Sequence, residues 1–397
     1  MAAPAHVLVV GASLAAVRVA EAMRTLGADS RITIVGDERH LPYDRPPLSK
    51  GILTGDEAAA ASLLLHGDLG DLDVELSLGR RATGLDTAGR TVSFDDGSVE
   101  RYDELVIATG ASARRLPACD GLDGVHTLRT IDDAMAIRAE LAHASNVVVV
   151  GAGFVGSEVA SSVRELGLDV VVLEAAEAPL GRALGPVLGA RLGRFHADHG
   201  SRLRCDAVVE RAEGAGRVER LVLRGGDTID ADLVVVGVGS VPNTGWLAGT
   251  PIDIVDGVHC DERGRADGVE HVHAVGDVAR WYSPRHDDRV RTEHWSAAGD
   301  QAMAVAADLL GRPAPAEAVP YVWSDQFGHR IQLGGRCSPT DRFHIARDDE
   351  RGIVAIAGRE GRLTAALTVD DGKQFGALRR LLAKGASWDD ALECAER

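Results

Sequence analysis

The chain has 397 residues, 45% hydrophobic and 26% charged, enough for two or three domains that each bury a core. A formal charge of −17 argues against a nucleic-acid partner, since phosphate binding relies on Lys and Arg, and reads instead as solubility. No run approaches the roughly 20 apolar residues that span a bilayer. The first residues lack the features of a signal peptide, and Cys119, Cys205, Cys260, Cys337 and Cys394 form no C-x-x-C pair. A cytoplasmic chain with free thiols is therefore expected.

In chain order, His6–Val10 is a short apolar run that predicts a buried strand. Gly11-Ala-Ser13-Leu-Ala15-Ala16 follows, then a helical pattern stopped by Gly27, then a strand over 31–35 that ends at Gly36-Asp37. Tyr43-Asp-Arg45-Pro-Pro-Leu-Ser-Lys50 predicts a short helix at Pro47. On composition alone this stretch is a surface loop with two solvated cations. Residues 83–99 predict an antiparallel excursion turning at Asp95-Asp-Gly97, and 103–110 a buried strand ending in Thr109-Gly110.

Residues 146–174 repeat the opening device. A valine strand leads into Gly151-Ala-Gly153-Phe154-Val155-Gly156, a helix to Leu166, and a strand ending at Glu174. Arg217 to Ile229 echoes the hairpin, with Gly225-Gly226 at its turn, and 231–239 echoes the later strand, ending at Gly239. His271-Val-His-Ala-Val-Gly276-Asp277 is a strand ending in Gly-Asp, and Glu293-His-Trp295 precedes an alanine-rich helix over 297–310. Residues 311–315 read as a linker. Beyond it, strands at 330–334 and 353–357 and a helix from about Phe375 predict a separate α+β domain. His271 and His273 share a strand face without further ligands at metal spacing, so no metal site is expected.

Each step of the repeated device has a physical role. The first glycine allows the tight turn, the second lets a pyrophosphate approach, and the third lets helix and strand sit close. The helix N-terminus presents N–H groups and a positive dipole end to phosphate. The terminal acid accepts hydrogen bonds from a ribose diol. The second copy satisfies every step, and Glu174 suits the free 2′-hydroxyl of NADH, with no arginine directly after it. In the first copy Ser13 and Ala16 replace two glycines.

These motifs, with Ile107-Ala-Thr-Gly110 and Trp323-Ser-Asp-Gln326, resemble the FAD- and NADH-dependent ferredoxin reductases of bacterial oxygenase systems. The resemblance covers the whole chain. It implies an α/β fold with two Rossmann-like dinucleotide-binding domains (glutathione-reductase-like) plus a C-terminal α+β domain. Residues 1–110 and 237–315 would bind FAD, 111–236 would bind NAD, and 316–397 would cover the flavin. By matched position, Gly11, Ser13, Ala15, Thr109, Gly110 and Gly276 would line the FAD site. Asp37 would hold the adenosine ribose, Ala82 the adenine, Asp277 the ribityl chain, and Trp295 would lie by the isoalloxazine. Arg45, Lys50 and Arg129 would run along the flavin. Gly151, Gly153, Phe154, Val155, Gly156, Glu174 and Gly239 would bind NADH. Glu158 would sit near the nicotinamide and pair with Lys50, making these two the catalytic residues.

The implied reaction takes hydride from NADH onto FAD and sends single electrons to a two-iron, two-sulfur (2Fe-2S) ferredoxin that feeds an oxygenase. The stretch from Asp37 to Lys50 contains no cysteine, which argues against relay through a dithiol. Rubredoxin reductase and NADH oxidase are the alternatives within this fold, and a redox-sensing binding flavoprotein is the alternative outside catalysis. A monomer or weak homodimer is expected. Arg312, Arg330, Arg336 and Arg342 are candidates for a basic docking face, and Trp295 and Trp323 for an electron exit, with ordinary packing as their other reading.

Overall fold

The computed structural model describes residues 4–65, 69–338 and 340–397. By its contacts the chain divides into two units. Met1–Asp44, Leu63–Ser112 and Val241–Pro320 form the first; Arg45–Ser62, Ala113–Ser240 and Tyr321–Arg397 form the second.

The first unit is built on five parallel strands in the order Val272–Ala274, Glu104–Ile107, His6–Val10, Arg31–Gly36 and Val74–Leu78. Its central strands are continuous apolar runs because both faces are covered. Val7 and Val9 join the core under helices Leu14–Thr25 and Trp295–Leu309. Leu8 and Val10 point the other way, into a core shared with Val92 and Phe94. That alternation is the two-residue period of a strand. The helices approach closely because their inner faces are small: Ala16, Ala20, Ala302 and Ala306 are all 0% exposed.

The excursion expected at 83–99 turns at Gly97, whose φ is +82°, but it contains three strands, Ala82–Asp86, Thr91–Phe94 and Val99–Arg101. The alanine helix starts at Trp295, two residues earlier than its alanine pattern indicates.

The second unit repeats the parallel design in the order Arg202–Arg204, Val170–Leu173, Val147–Val150, Leu233–Val236 and Val125–Thr127. Three antiparallel strands, Val209–Glu213, Arg220–Leu223 and Thr228–Asp230, cover one face. Its C-terminal part is a five-stranded antiparallel sheet with helices Gly372–Lys384 and Trp388–Ala395. Two of those strands are legible as apolar runs, at His329–Gly335 and Gly352–Arg359. Tyr321–Gln326 and Arg342–Asp349 are edge strands whose polar and charged residues hide them. The helix expected from Phe375 begins at Gly372, because Asp371 caps it by accepting the Gln374 N–H at 2.9 Å. Among the described residues no helix is long and apolar enough to cross a membrane.

Candidate functional site

In the first unit, four motif segments leave the sheet at one edge, the C-terminal ends of its parallel strands. Gly11 follows His6–Val10, Asp37 follows Arg31–Gly36, Thr109-Gly110 follows Glu104–Ile107, and Gly276-Asp277 follows Val272–Ala274. Open α/β sheets bind ligands at this edge. Gly11 has φ +116°, and a Cβ there would lie 2.1 Å from the Ala108 carbonyl oxygen, so only glycine makes the turn. Ser13 takes the N-cap of the 12-residue helix Leu14–Thr25 in an extended conformation and makes no side-chain cap. The first-turn N–H groups thus have no hydroxyl from this residue and suit a phosphate. A Cβ on Gly276 would come within 3.1 Å of the Ala15 methyl, so the Gly276-Asp277 turn touches the start of that helix. Gly276 is held there by its N–H, which donates to Gln301 Oε1 at 2.7 Å.

Asp37 lies 3.5 Å from Arg81, the neighbour of Ala82. This brings the acid, an arginine and the strand Ala82–Asp86 to one place. Thr109 is engaged by a residue that sequence reasoning passed over. Its hydroxyl donates to the Asn243 carbonyl at 2.9 Å, and Asn243 Nδ2 donates back to the Thr109 carbonyl at 2.8 Å. The signal was the asparagine after Val241-Pro242, on a segment sequentially remote from Thr109. Trp295 donates through Nε1 to Asp44 Oδ1 at 2.8 Å, with the Arg18 guanidinium 5.3 Å from its ring centroid. His271 and His273 serve an ionic cluster: His271 lies 2.7 Å from Glu104, and His273 3.0 Å from Asp308. Among the described residues no group suited to a metal ion occurs.

The second unit holds the stricter glycine turn. Gly151 has φ +102°. A Cβ on Gly156 would lie 1.9 Å from the Gly151 oxygen, whereas a Cβ on Gly153 would meet nothing within 4 Å. The third glycine is therefore forced by packing, and the second leaves the space beside it open. Gly153 also caps helix Phe154–Glu165 without a side-chain bond, and Val155 in its first turn is 45% exposed. Glu174 ends the adjacent strand; its Oε2 accepts the Ala152 N–H at 2.8 Å and its Oε1 the Ala176 N–H at 2.9 Å. Gly239, with φ +108°, lies in the turn after strand Leu233–Val236, and its carbonyl accepts the Arg114 N–H at 2.9 Å.

The Arg45–Lys50 stretch belongs to this second unit. Pro46–Ser49 forms a short 3-10 helix and Gly51–Thr54 an α-helical turn. Arg45 Nη1 donates to the Arg129 carbonyl at 2.5 Å, so these two candidates meet. Lys50 Nζ lies 2.8 Å from Glu158 Oε2 and 3.1 Å from the Pro46 carbonyl. The Glu158 side chain is only 7% exposed. It also accepts the Ser49 hydroxyl at 2.6 Å and the Ser324 hydroxyl at 2.5 Å. Both serines lie inside motifs of the sequence, at residues 43–50 and 323–326, but nothing in the spacing marks either as a partner of Glu158.

Of the four arginines considered for a docking face, three are already engaged. Arg312 donates to the Leu26 carbonyl at 2.5 Å, Arg330 pairs with Asp325 at 3.4 Å, and Arg342 lies over Trp388 at 4.5 Å. Trp323 stacks on Tyr321 at 5.8 Å. The five cysteines are all free thiols.

Residues 5–302 match the family model described as pyridine nucleotide-disulphide oxidoreductase. The chain belongs to this family. Residues 321–396 match the reductase C-terminal domain that accompanies it here. This member of the pyridine nucleotide-disulphide oxidoreductases is 35% identical to the anthranilate 1,2-dioxygenase system ferredoxin–NAD(+) reductase component of Burkholderia cepacia, over 96% of this chain and 95% of the relative. It is also 35% identical to rhodocoxin reductase of Rhodococcus erythropolis, over 95% of this chain and 89% of the relative. The covalent putidaredoxin reductase–putidaredoxin complex superimposes with a TM-score of 0.92 at 30% identity, covering 96% of this chain and 93% of that one. Family membership makes the protein an oxidoreductase and implies flavin and nicotinamide nucleotide as its redox groups.

Proposed function

We propose that this protein is an NADH-dependent ferredoxin reductase that serves an oxygenase, with FAD as its flavin and a 2Fe-2S ferredoxin as its acceptor. The observation that carries the reading is the pair of Lys50, from the proline segment, with Glu158, on the helix of the stricter glycine turn, 2.8 Å apart, in a chain with no cysteine between Asp37 and Lys50. A fixed cation with a buried carboxylate partner suits charge that arrives by hydride transfer, and the stretch from Asp37 to Lys50 offers no thiol for exchange. The relatives named for ferredoxin reduction support the same acceptor class.

FAD accepts two electrons together and releases them singly, which joins a hydride donor to a one-electron carrier. Residues 1–110 and 237–315 hold it, through the turns at Gly11, Ser13, Ala15, Thr109, Gly110 and Gly276. Asp37 and Ala82 take the adenosine end, Asp277 the ribityl chain, and Trp295, Arg45 and Arg129 the remainder. Residues 111–236 hold NADH. Gly151, Gly153, Phe154, Val155 and Gly156 receive the pyrophosphate, Gly239 closes the next turn, and Glu174 takes the ribose. A carboxylate there repels a 2′-phosphate, so NADH is preferred over NADPH. Lys50 supplies positive charge and Glu158 fixes it. Residues 316–397 form the third domain, and the chain works in the cytoplasm.

Anaerobic titration with NADH and separately with NADPH tests the donor. Bleaching by NADH at lower concentration is expected, and no bleaching by either sinks the reading. Cytochrome c reduction with added ferredoxin, with rubredoxin or with neither tests the acceptor. Stimulation by ferredoxin is expected; an equal rate with no carrier overturns it.

A further inference from the structure

Glu158 is held from two sides by parts of the chain far apart in sequence. Ser49 and Lys50 reach it from the proline segment; Ser324 reaches it from the C-terminal edge strand Tyr321–Gln326. Ser324 is 0% exposed and Gln326 3% exposed. The Gln326 amide Nε2 donates to Ser324 Oγ at 2.9 Å, which fills a lone pair of that hydroxyl. The one hydroxyl proton of Ser324 is thereby directed at Glu158 Oε1, 2.5 Å away. With Oε1 held by Ser324, Oε2 is left facing Lys50 and Ser49. The same edge strand is docked a second time, where the Phe327 N–H donates to Ser161 Oγ at 2.7 Å, one helical turn beyond Glu158.

We propose that Ser324, oriented by Gln326, is a positioning residue: it locks the rotamer of Glu158 and through it the ammonium of Lys50. The C-terminal domain then contributes to hydride transfer and is more than a cover. A buried hydroxyl that a glutamine amide aims at a carboxylate has no need to exist for packing alone, since alanine fills most of its volume. Positioning of charged groups to within a fraction of an ångström is what supporting hydrogen bonds of this type secure. The inference rests on the proposed reading of Lys50 and Glu158 as the residues beside hydride transfer.

The composition offers a direct probe, because the chain contains only three lysines, Lys50, Lys373 and Lys384. In holoprotein labelled with 13C- and 15N-lysine, the Lys50 signal is identified by its loss in K50R. Two distinct ε-methylene proton shifts are expected for Lys50 in the parent protein, as for a locked side chain. S324A should merge them, and S324T, which keeps the hydroxyl, should restore them. S161A loosens the same strand without touching Glu158 and should leave both shifts distinct. Stopped-flow reduction by NADH should be slowed on the order of tenfold in S324A, with the Kd for NADH unchanged within about twofold. Distinct shifts and a full rate in S324A overturn the proposal, as does merging in S161A to the same extent. If the parent flavoprotein is not reduced by NADH, the functional reading fails, and the lysine spectra still decide whether Ser324 positions Lys50.

Discussion

Glu174 accepts the Ala152 N–H at 2.8 Å, so the acid that ends strand Val170–Leu173 is also a strut of the glycine turn it faces. Its other oxygen accepts the Ala176 N–H at 2.9 Å. An amide offers only one accepting atom, so E174Q leaves one of these N–H groups without its partner. A loss of about 1 kcal/mol of folding stability is expected for it, read as a lower urea midpoint. Arginine accepts nothing, so E174R loses both struts and gains no tight NADPH binding. Fluorescence titration with both nucleotides checks this; E174R that binds NADPH as tightly as the parent binds NADH contradicts it.

Two glycines of the second turn, Gly156 and Gly153, should respond differently to a single methyl group. G156A sets a Cβ 1.9 Å from a backbone oxygen, which must move. Overpacking of this kind costs about 1–3 kcal/mol, visible as a lower Tm. G153A meets nothing within 4 Å, so it should cost only the roughly 0.5–1 kcal/mol of putting alanine at the N-cap of helix Phe154–Glu165, while NADH affinity falls. Thermal unfolding without nucleotide, followed by NADH titration, separates the two.

His196 is buried, with its ring nitrogens 3.2 Å from Ser201 Oγ and 3.3 Å from Ser157 Oγ. Burial pushes its imidazole down from 6.5 to about 4. The unfolded chain therefore takes up this proton near 6.5 while the folded chain resists until about 4. Stability from this group is full above 6.5 and is lost as the pH falls to about 4. H196N should remove that component, a slope of about 1.4 kcal/mol per pH unit between these limits. Urea unfolding of both proteins across this range measures it, and parallel curves would show that the histidine is not the source.

Asp308 lies buried at the end of helix Trp295–Leu309, with Arg265 at 2.6 Å on each oxygen and His273 at 3.0 Å. Burial alone raises its carboxyl. Hydrogen bonds from His273 and Arg265, with their charges, outweigh burial and hold it well below the usual carboxylate range. Its contribution is present above the unfolded value of about 3.9 and is lost as the pH falls through the lower folded value. D308N should destabilise by about 2–4 kcal/mol near neutral pH, less than a fully enclosed pair because the Arg265 side chain is 46% exposed. The difference from the parent should shrink below about pH 4, as read by urea unfolding.

Local patterns carried much of this fold. Apolar runs flanking the glycine turns were enough for the central strands of both parallel sheets, because strands covered on two faces have no polar residues to confuse the reading, whereas Val74–Leu78, Val125–Thr127 and Arg202–Arg204 are short or mixed and carried no such signal. The C-terminal sheet was half legible. One edge strand carries Arg342, Arg347, Asp348 and Asp349, which solvent or ion pairs satisfy and which erase the apolar signal, and the other carries Ser324, Asp325 and Gln326.

The same division runs through the site. The amino-acid sequence determined the glycine turns, the acids at Asp37 and Glu174 and the absence of a dithiol, since each is a local chemical fact. Which groups meet was decided by tertiary structure. Ser324 reaches Glu158 across 166 residues, and Asn243 reaches Thr109 across 134. Glu174 became a strut as well as a candidate ribose ligand only when the strand register put it beside Ala152. A hydrogen bond depends on a fraction of an ångström and on direction, and neither is written in the spacing of residues along the chain.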